Sequence, residues 1–360
     1  MVAFFFLLYQ IRLRRIKEHN AALLQEITER KRTEALLAGE KRLLEMIATG
    51  VALENILEVL CQVIEEQRSN TLASVLLLCP DGIHLDSAAG PSLPEGWRKE
   101  IASVAIGPCA GSCGTAAYRK SAVIVSDIAN DPLWDVSEHR AAALSYGLRA
   151  SWSNPILTSD GRVLGTFCMY YRERRSPKAE DLELIELATH LARVAIERDR
   201  AAEALRQSEG FLADGQRISH TGSWSWNLST GQVTWSDEHF RIFGFDPDRT
   251  EASFPLFLET VHPDDRSFIE RGLDKAKRDK SGFDMEFRIA PTDGSIKNVQ
   301  GVGRPVLTPS GDISYYIGTT VDITPRKRAE ALLAGEKRLL EMVARGIGRA
   351  SCRERVLLGV

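Results

Sequence analysis

Two stretches of the chain are mostly charged, rich in helix-forming residues and marked by a narrow line of apolar positions. Residues 27–50 and 323–346 match at 20 of 24 positions, at an offset of 296. Leucines such as Leu36 and Leu43 recur seven residues apart, which is the repeat of a coiled coil. A helix with so narrow an apolar stripe is best stabilised by pairing with another helix. We therefore predict a homodimer formed through these helices.

A third helical stretch has apolar residues at alternating spacings of three and four, interrupted by Arg198 and Ser208. Such a weak seam predicts a coiled-coil connector that shifts register at low cost while it transmits a signal. The alternative interpretation is that the part from Leu184 to Val194 packs on the domain before it. The positions of the seam are Leu184, Leu187, Leu191, Val194, Arg198, Ala201, Leu205, Ser208 and Leu212.

Between the helical stretches lie two regions of short β-type runs separated by turn residues. Pairs such as Asp81-Gly82 and Asp160-Gly161 mark hairpins in the first region. Strands interspersed with helices predict an α+β fold with two antiparallel-sheet domains joined by long coiled-coil helices. The predicted domains are residues 40–200 and 213–324, with helical linkers at residues 10–39, 201–212 and 325–346.

Charge and cysteine content narrow the classes of function. The chain has 46 basic and 49 acidic residues and a formal charge of -3, so no overall positive field attracts nucleic acid. Six cysteines are scattered through 360 residues, in neither a disulfide framework nor a zinc pattern. We expect a reducing compartment, no nucleic-acid partner and no metal site.

The first β-containing region carries three sequence motifs of a known sensory family. They are the runs Gly107–Tyr118, Val123–Ile128 and Gly161–Phe167. Together they resemble the GAF domains of bacterial sensor kinases. The resemblance implies a six-stranded antiparallel sheet with a pocket on one face, which holds an unknown small molecule or stays empty. The candidate pocket residues are Cys109, Ser112, Cys113, Tyr118, Asp127, Trp134 and Trp152.

Cys109 and Cys113 are four residues apart in a glycine-rich loop. Exposed thiols of low pKa oxidise readily, which would make the pair a redox switch. Alternatively, both are small apolar residues that face the pocket. A third hypothesis, a GAF-type methionine sulfoxide reductase, would require both as catalytic cysteines. We assign no catalytic residue in the chain.

The second β-containing region also carries family motifs. Trp224-x-Trp226, Trp235-Ser-Asp-Glu, His262-Pro-Asp-Asp-Arg and the terminal Asp322-Ile-Thr resemble the PAS family in its PAS-PAC form. That resemblance implies that Asp322 and Thr324 connect the last strand to the outgoing helix and transmit the signal. The candidate pocket residues are Trp224, Trp226, Trp235, Phe240 and Phe287.

The sequence gives no evidence for a flavin, haem, bilin or metal cofactor, so the cofactor stays unknown. The region has no cysteine between Phe211 and Val343, whereas flavin-photosensing relatives carry a reactive one. No cysteine has a histidine neighbour of the kind that bilin-binding relatives use. His262 is a possible haem ligand, but its place before Pro263 is more typical of a turn-stabilising imidazole.

Motifs for an output enzyme are missing from the sequence. None of the seven histidines has the context of a phosphoacceptor, and no phosphate-binding loop or cyclase motif occurs. We expect the signal-sensing and relay segment of a two-component sensor histidine kinase, with the output domain and the response regulator outside this chain. The alternatives are the input region of a cyclic-dinucleotide cyclase or phosphodiesterase, and a non-catalytic dimerisation scaffold.

Both ends of the sequence are unusual. Residues 1–9 are apolar and are followed by Arg12, Arg14 and Arg15, a pattern typical of a cytoplasmic flank. We interpret them as the end of a transmembrane helix, which places the chain on the cytoplasmic side of the bacterial inner membrane. At the other end, residues 325–346 predict a linker and the start of a second GAF domain. Residues 347–360 resemble a translated sequencing adapter, so we expect a non-native tail there.

Overall fold

The computed structural model describes residues 2–68, 70–134, 139–291 and 294–357. The chain divides into two compact units, Met1–Ala204 and Leu205–Val360. Each unit contains one antiparallel sheet, and a single long helix, Ala179–Ile218, begins in the first unit and ends in the second. The predicted α+β class with two antiparallel-sheet domains is therefore confirmed.

The first unit has a six-stranded sheet in the order β3-β2-β1-β6-β5-β4. Its strands are β1 (Thr71–Leu78), β2 (His84–Ala89), β3 (Ser103–Ala105), β4 (Val123–Val125), β5 (Ala150–Leu157) and β6 (Val163–Tyr171). Its helices are α1 (Val2–Thr49), α2 (Leu53–Gln67), α3 (Glu95–Glu100), α4 (Gly111–Arg119), α5 (His139–Ser145) and α6 (Ala179–Ile218), with a short 3-10 helix at Pro132–Trp134.

The two faces of this sheet carry separate cores. On β6, Phe167 and Met169 face α1, α2 and α6, whereas the alternate residues Cys168 and Tyr170 face α3, α4 and α5. Successive side chains of a strand point to opposite faces, and both faces are covered, so β6 is buried at every position from Leu164 to Tyr171. The second face, with Tyr170, borders the candidate cavity of this unit.

The second unit has a five-stranded sheet in the order β8-β7-β11-β10-β9. Its strands are β7 (Thr221–Asn227), β8 (Val233–Trp235), β9 (Phe283–Ile289), β10 (Lys297–Leu307) and β11 (Ile313–Asp322). Its helices are α7 (Asp237–Phe243), α8 (Phe254–Thr260), α9 (Pro263–Asp279) and α10 (Thr324–Leu357).

Polar residues fix where the helices on this sheet begin. Ser236 accepts a hydrogen bond from the backbone N–H of His239 at 3.3 Å and caps α7, and Ser253 caps α8 in the same way. Each cap satisfies an N–H that has no partner within its helix. Asp265, in the first turn of α9, pairs with Arg288 on β9 at 2.6 Å. These contacts set α7, α8 and α9 against one face of the sheet.

The connecting helix α6 has two different parts. Leu184 and Leu191 are buried in the core of the first unit, whereas Leu205 and Leu212 are 60% and 61% exposed. The packing interpretation therefore holds for the part from Leu184 to Val194. The coiled-coil interpretation remains a prediction for the later part.

The expected membrane attachment and localisation are wrong. Within residues 2–68, 70–134, 139–291 and 294–357, no helix combines the length and the apolar character needed to cross a membrane.

Candidate ligand cavities and the helix junction

The cavity of the first unit lies between α4, the 3-10 helix and the sheet. Its volume is about 30 Å³, above the roughly 10–15 Å³ that one water molecule needs. Gly111, at the start of α4, has a φ of +61°, a conformation that glycine adopts without strain. The cavity is lined by Trp97, Ile101, Val104, Ala110, Gly111, Ser112, Cys113, Trp134, His139 and Tyr170.

Buried thiols and hydroxyls form a cluster beside this cavity. Cys113 Sγ lies 3.3 Å from Ser153 Oγ and 3.9 Å from the hydroxyl of Tyr170. Hydrogen bonding from Cys168, with smaller contributions from Ser153, Tyr170 and Thr166, lowers the pKa of Cys113 to about 6 against the opposing effect of burial. Burial raises the pKa of Cys168, and neighbouring Cys113 raises it further. Cys168 therefore stays protonated, and its thiol donates to the carbonyl of Met169 at 3.8 Å.

The structure brings three of the seven predicted residues of this unit to the cavity: Ser112, Cys113 and Trp134. Cys109 is exposed in the loop before α4, and Tyr118 is 57% exposed near the end of α4. The burial of Cys113 and the exposure of Cys109 separate two thiols that the sequence places close together.

Asp127 and Trp152 also lie outside the cavity. The carboxylate of Asp127 accepts a hydrogen bond from Asn130 at 2.7 Å and pairs with Arg174 at 3.1 Å, so it stabilises the turn after β4. Trp152 belongs to the core on the opposite face of the sheet, where its ring lies 4.3 Å from that of Tyr171. Trp97 and Tyr170, which sequence reasoning missed, take part in the lining instead.

The cavity of the second unit lies between its sheet and the helices α7, α8 and α9. It encloses about 60 Å³ and has a largely aromatic wall. Trp226 stacks on Phe254 with the ring centres 4.4 Å apart, and Trp224 stacks on Phe283 with the ring centres 5.8 Å apart. Four of the five predicted residues line it, namely Trp224, Trp226, Trp235 and Phe287. Phe240 is buried next to Trp235, 5.0 Å away between ring centres, but does not line the cavity.

Sequence reasoning missed one polar residue in this wall. His239, on α7, lines the cavity and is only 2% exposed. Gly222 on β7 makes room for it, because a Cβ at Gly222 would lie 2.4 Å from the Cα of His239. Burial lowers the pKa of His239 to about 3, although the backbone of Gly222 has an opposing effect. The imidazole is therefore neutral near pH 7.

The predicted transmission residues lie where β11 meets α10. The carboxylate of Asp322 accepts a hydrogen bond from the N–H of Thr324 at 2.8 Å. The hydroxyl of Thr324 accepts one from the N–H of Asn298, on β10, also at 2.8 Å. The N–H of Ile323 donates to the carbonyl of Asn298 at 2.9 Å. These bonds fix the start of α10 to the neighbouring strand.

A second connection runs from the cavity wall to α10. On β9, Met285 and Phe287 line the cavity, while Glu286 between them points to the other face. Glu286 forms ion pairs with Arg326 and Lys327, each at 2.6 Å. One short segment of β9 therefore contacts both the interior of the cavity and the first turn of the outgoing helix.

Comparisons with known proteins agree with this architecture. A family model described as a GAF domain matches residues 50–197, and one described as a PAS fold matches residues 232–320. The Methyl sulfide methyltransferase-associated sensor of Methanosarcina acetivorans is 40% identical over 187 residues, which is 52% of this chain and 18% of that protein.

Two further relatives come from different classes of signalling protein. The Blue-light-activated histidine kinase of Brucella anthropi is 28% identical over 150 residues, which is 41% of this chain and 28% of that protein. The "Probable diguanylate cyclase DgcE" of Escherichia coli is 28% identical over 129 residues, which is 36% of this chain and 12% of that protein. Each match thus spans less than a third of the relative's length. The chain carries a GAF domain at residues 50–197 and a PAS domain at residues 232–320, the sensory domains of signalling proteins.

Proposed function

We propose that this chain is the signal-input and relay region of a two-component sensor histidine kinase. Small-molecule or redox input at the GAF and PAS cavities changes the packing of the helices that leave each domain. The similarity to a histidine kinase supports this assignment. In the whole protein, the kinase would pass its phosphoryl group to a response regulator.

The observation that carries this proposal is the double role of β9. Met285 and Phe287 face the cavity, and Glu286 holds Arg326 and Lys327 at the start of α10. A ligand that displaces Met285 or Phe287 also displaces Glu286, because the three residues are consecutive on one strand. The ligand shifts the equilibrium between two arrangements of α10 only as far as its affinities for them differ.

The same proposal includes a parallel homodimer. On α1, Leu37 and Leu44 are seven residues apart and 65% and 44% exposed, while Leu43 is buried in the GAF core. The equivalent residues on α10, Leu333 and Leu340, are 65% and 69% exposed. Exposed leucines at heptad spacing fit a helix-to-helix contact with a second copy.

The repeat also supports a second GAF domain after α10. Leu43 and Ile47 of α1 are 1% and 6% exposed against the GAF core, whereas their counterparts Leu339 and Val343 are 60% and 51% exposed. Among the described residues, the copy in α1 covers a GAF core, and the copy in α10 leaves the same positions exposed. We therefore keep residues 325–346 as a linker leading into another GAF domain.

The test is phosphorylation of the full-length parent protein with labelled ATP. A histidine kinase forms acid-labile, alkali-stable phosphohistidine, and Glu286→Gln changes the rate of its formation under ligand or oxidant. Glu330→Gln is the matched control, because Glu330 pairs with the same Arg326 from within α10, at 3.8 Å. Absence of phosphohistidine refutes the kinase assignment.

The similarity to a diguanylate cyclase favours one other candidate, the input region of a cyclic-dinucleotide enzyme. The same full-length protein incubated with GTP distinguishes the two. Formation of a cyclic dinucleotide without phosphohistidine would replace the kinase by a cyclase and leave the relay through β9 unchanged.

A further inference from the structure

The PAS cavity contains a buried polar group that the packing does not explain. His239 is 2% exposed, and neither of its ring nitrogens has a hydrogen-bond partner among the residues that the structure describes. Buried polar side chains are nearly always hydrogen-bonded, since an unmet donor or acceptor is costly. The ring is nevertheless held firmly, stacked on Phe243 at 4.5 Å and next to Trp235 at 4.6 Å.

The chemical state of His239 specifies what it can bind. A neutral imidazole has one N–H donor and one nitrogen with a lone pair. Neither ring nitrogen has a partner among the described residues, so the nitrogen that lacks the proton is free to accept a hydrogen bond from a ligand.

The other residues that line the PAS cavity disfavour a charged ligand. Its described residues are aromatic or aliphatic apart from His239 and Thr320, and none of them carries a charged side chain. Lys277 contacts the ring of Trp226 from 4.5 Å but does not line the cavity. An ion in this cavity would lose its hydration without gaining a counter-charge, whereas a flat aromatic ring would find stacking partners on several sides.

The PAS cavity is small, so a side chain in its wall has to move before a ligand can enter. The 60 Å³ that it encloses is smaller than the roughly 150 Å³ of a cavity known to bind benzene. Met285 is the flexible side chain in the wall, and it lies against α9, where its Sδ would be 2.5 Å from a Cβ at Gly272. A one-ring ligand therefore needs additional room, and Met285, the neighbour of Glu286 on β9, is the wall residue that moves most easily.

We propose that the PAS cavity binds a small, uncharged, single-ring aromatic compound with one hydrogen-bond donor, and that His239 accepts that hydrogen bond. The inference deepens the proposed function, because it names the ligand class of the PAS domain and makes Met285 the first residue to respond. It does not depend on whether the parent protein is a kinase or a cyclase.

The test compares three probes of similar shape by isothermal titration calorimetry on the whole chain. Phenol has a ring and a donor, toluene has the ring alone, and benzoate has a ring and a negative charge. We expect phenol to bind about tenfold more tightly than toluene, the usual effect of one hydrogen bond. Benzoate should bind most weakly.

Two variants test whether His239 causes the preference for phenol over toluene. His239→Phe keeps an aromatic ring but removes the acceptor, so phenol and toluene should bind equally while toluene affinity stays within about threefold of the wild-type value. His239→Gln keeps an acceptor and should retain part of the preference for phenol. The ¹⁵N resonance of the accepting ring nitrogen should shift with phenol and not with toluene.

Several results would overturn this inference. They are equal binding of phenol and toluene to the wild-type chain, tightest binding of benzoate, a preference for phenol that survives in His239→Phe, and absence of binding by all three probes, which would leave the cavity to water. Each of these results removes the ligand class and leaves the phosphorylation assay of the proposed function unaffected. A failed phosphorylation assay leaves these binding results standing.

Discussion

Lys327 Nζ lies 2.6 Å from the carboxylate of Glu286, which joins the first turn of α10 to the middle of β9. Arg326 approaches the other carboxylate oxygen equally closely. The bonds of Thr324 hold α10 to β10, so two adjacent strands hold the start of one helix. This arrangement makes the first turn of α10 sensitive to small movements of the sheet.

We predict that Glu286→Gln loosens the start of α10 without unfolding the PAS domain. The two cations lose their carboxylate partner, so the first turn opens more often and its amides should exchange severalfold faster in deuterium-exchange mass spectrometry. Amides of β10 should be unchanged. The control variant Glu330→Gln should leave the first turn as it is in the wild type, and equal loosening in both variants would contradict the link through β9.

In the GAF domain, Asp181 and Glu180 form a matched pair for a second prediction. Both carboxylates bond to Arg68, at 3.0 and 2.9 Å, but Asp181 is 1% and Glu180 is 74% exposed at the side chain. Burial raises the pKa of Asp181, yet hydrogen bonds from the N–H of Lys178 and from Arg175 outweigh it and leave the pKa lowered overall.

Asp181→Asn should therefore destabilise the GAF domain by about 3 kcal/mol, because two arginines lose a buried counter-charge. Glu180→Gln should cost at most about 1 kcal/mol, as exposed ion pairs do. Urea denaturation followed by the fluorescence of the tryptophans measures both values. Equal costs would show that burial does not determine the strength of these pairs.

The burial of His239 predicts that the PAS domain is less stable in mild acid. Its pKa is about 3 in the folded chain against an ordinary value of 6.5, so between these two pH values the unfolded chain binds a proton that the folded chain does not. Stability is full above pH 6.5 and falls as the pH is lowered, by on the order of 2 kcal/mol between pH 7 and 4.5. Denaturation of the wild type and of His239→Phe at both pH values tests this, and an equal pH dependence in the two would disprove it.

The exposed leucines of α1 predict the oligomeric state. The wild-type chain should be a dimer at micromolar concentration, and Leu37→Glu with Leu44→Glu should raise its dissociation constant at least about 100-fold, because the charges would be buried between helices. Analytical ultracentrifugation measures this. Leu307→Glu, at another exposed leucine that is 49% accessible, should leave the dimer intact. A monomeric wild type would refute the contact.

The thiols near the GAF cavity allow a test of the redox hypothesis. Cys109 is exposed, whereas Cys113 is buried although its pKa is about 6. At pH 7, iodoacetamide should modify Cys109 within the time in which Cys113 stays protected, because access and not thiolate content limits the buried residue. Peptide mass spectrometry identifies the modified thiol. Rapid modification of Cys113 in the native chain would indicate a cavity that opens, as a redox sensor requires.

The fold was accessible from the sequence because turn residues, caps and family motifs all indicate the same elements. It was harder to predict which face of the sheet each strand residue points to. Trp152 in β5 and Trp134 in the 3-10 helix are both buried tryptophans, but only Trp134 lines the cavity. In β6 every position from Leu164 to Tyr171 is buried, so no alternation shows that Tyr170 faces the cavity.

His239 was missed for a different reason. It has no motif or ligand spacing of its own, and its burial depends on the absent side chain of Gly222 on another strand. The available signal was the N-cap at Ser236, which fixes the rotation of α7 and places the third helical residue, His239, toward the sheet. Contacts between segments distant in sequence thus decide which polar residue enters a cavity.

The near-identical segments in α1 and α10 have a practical consequence for labelling the protein. Leu43 is 1% exposed in α1, while the same residue of the repeat, Leu339, is 60% exposed in α10. An antibody raised against the side of this peptide that carries Leu43 or its counterpart Leu339 would find a single epitope on the native chain and two after denaturation. The number of antibody molecules bound per chain would therefore show how many of the two copies of the repeat are buried.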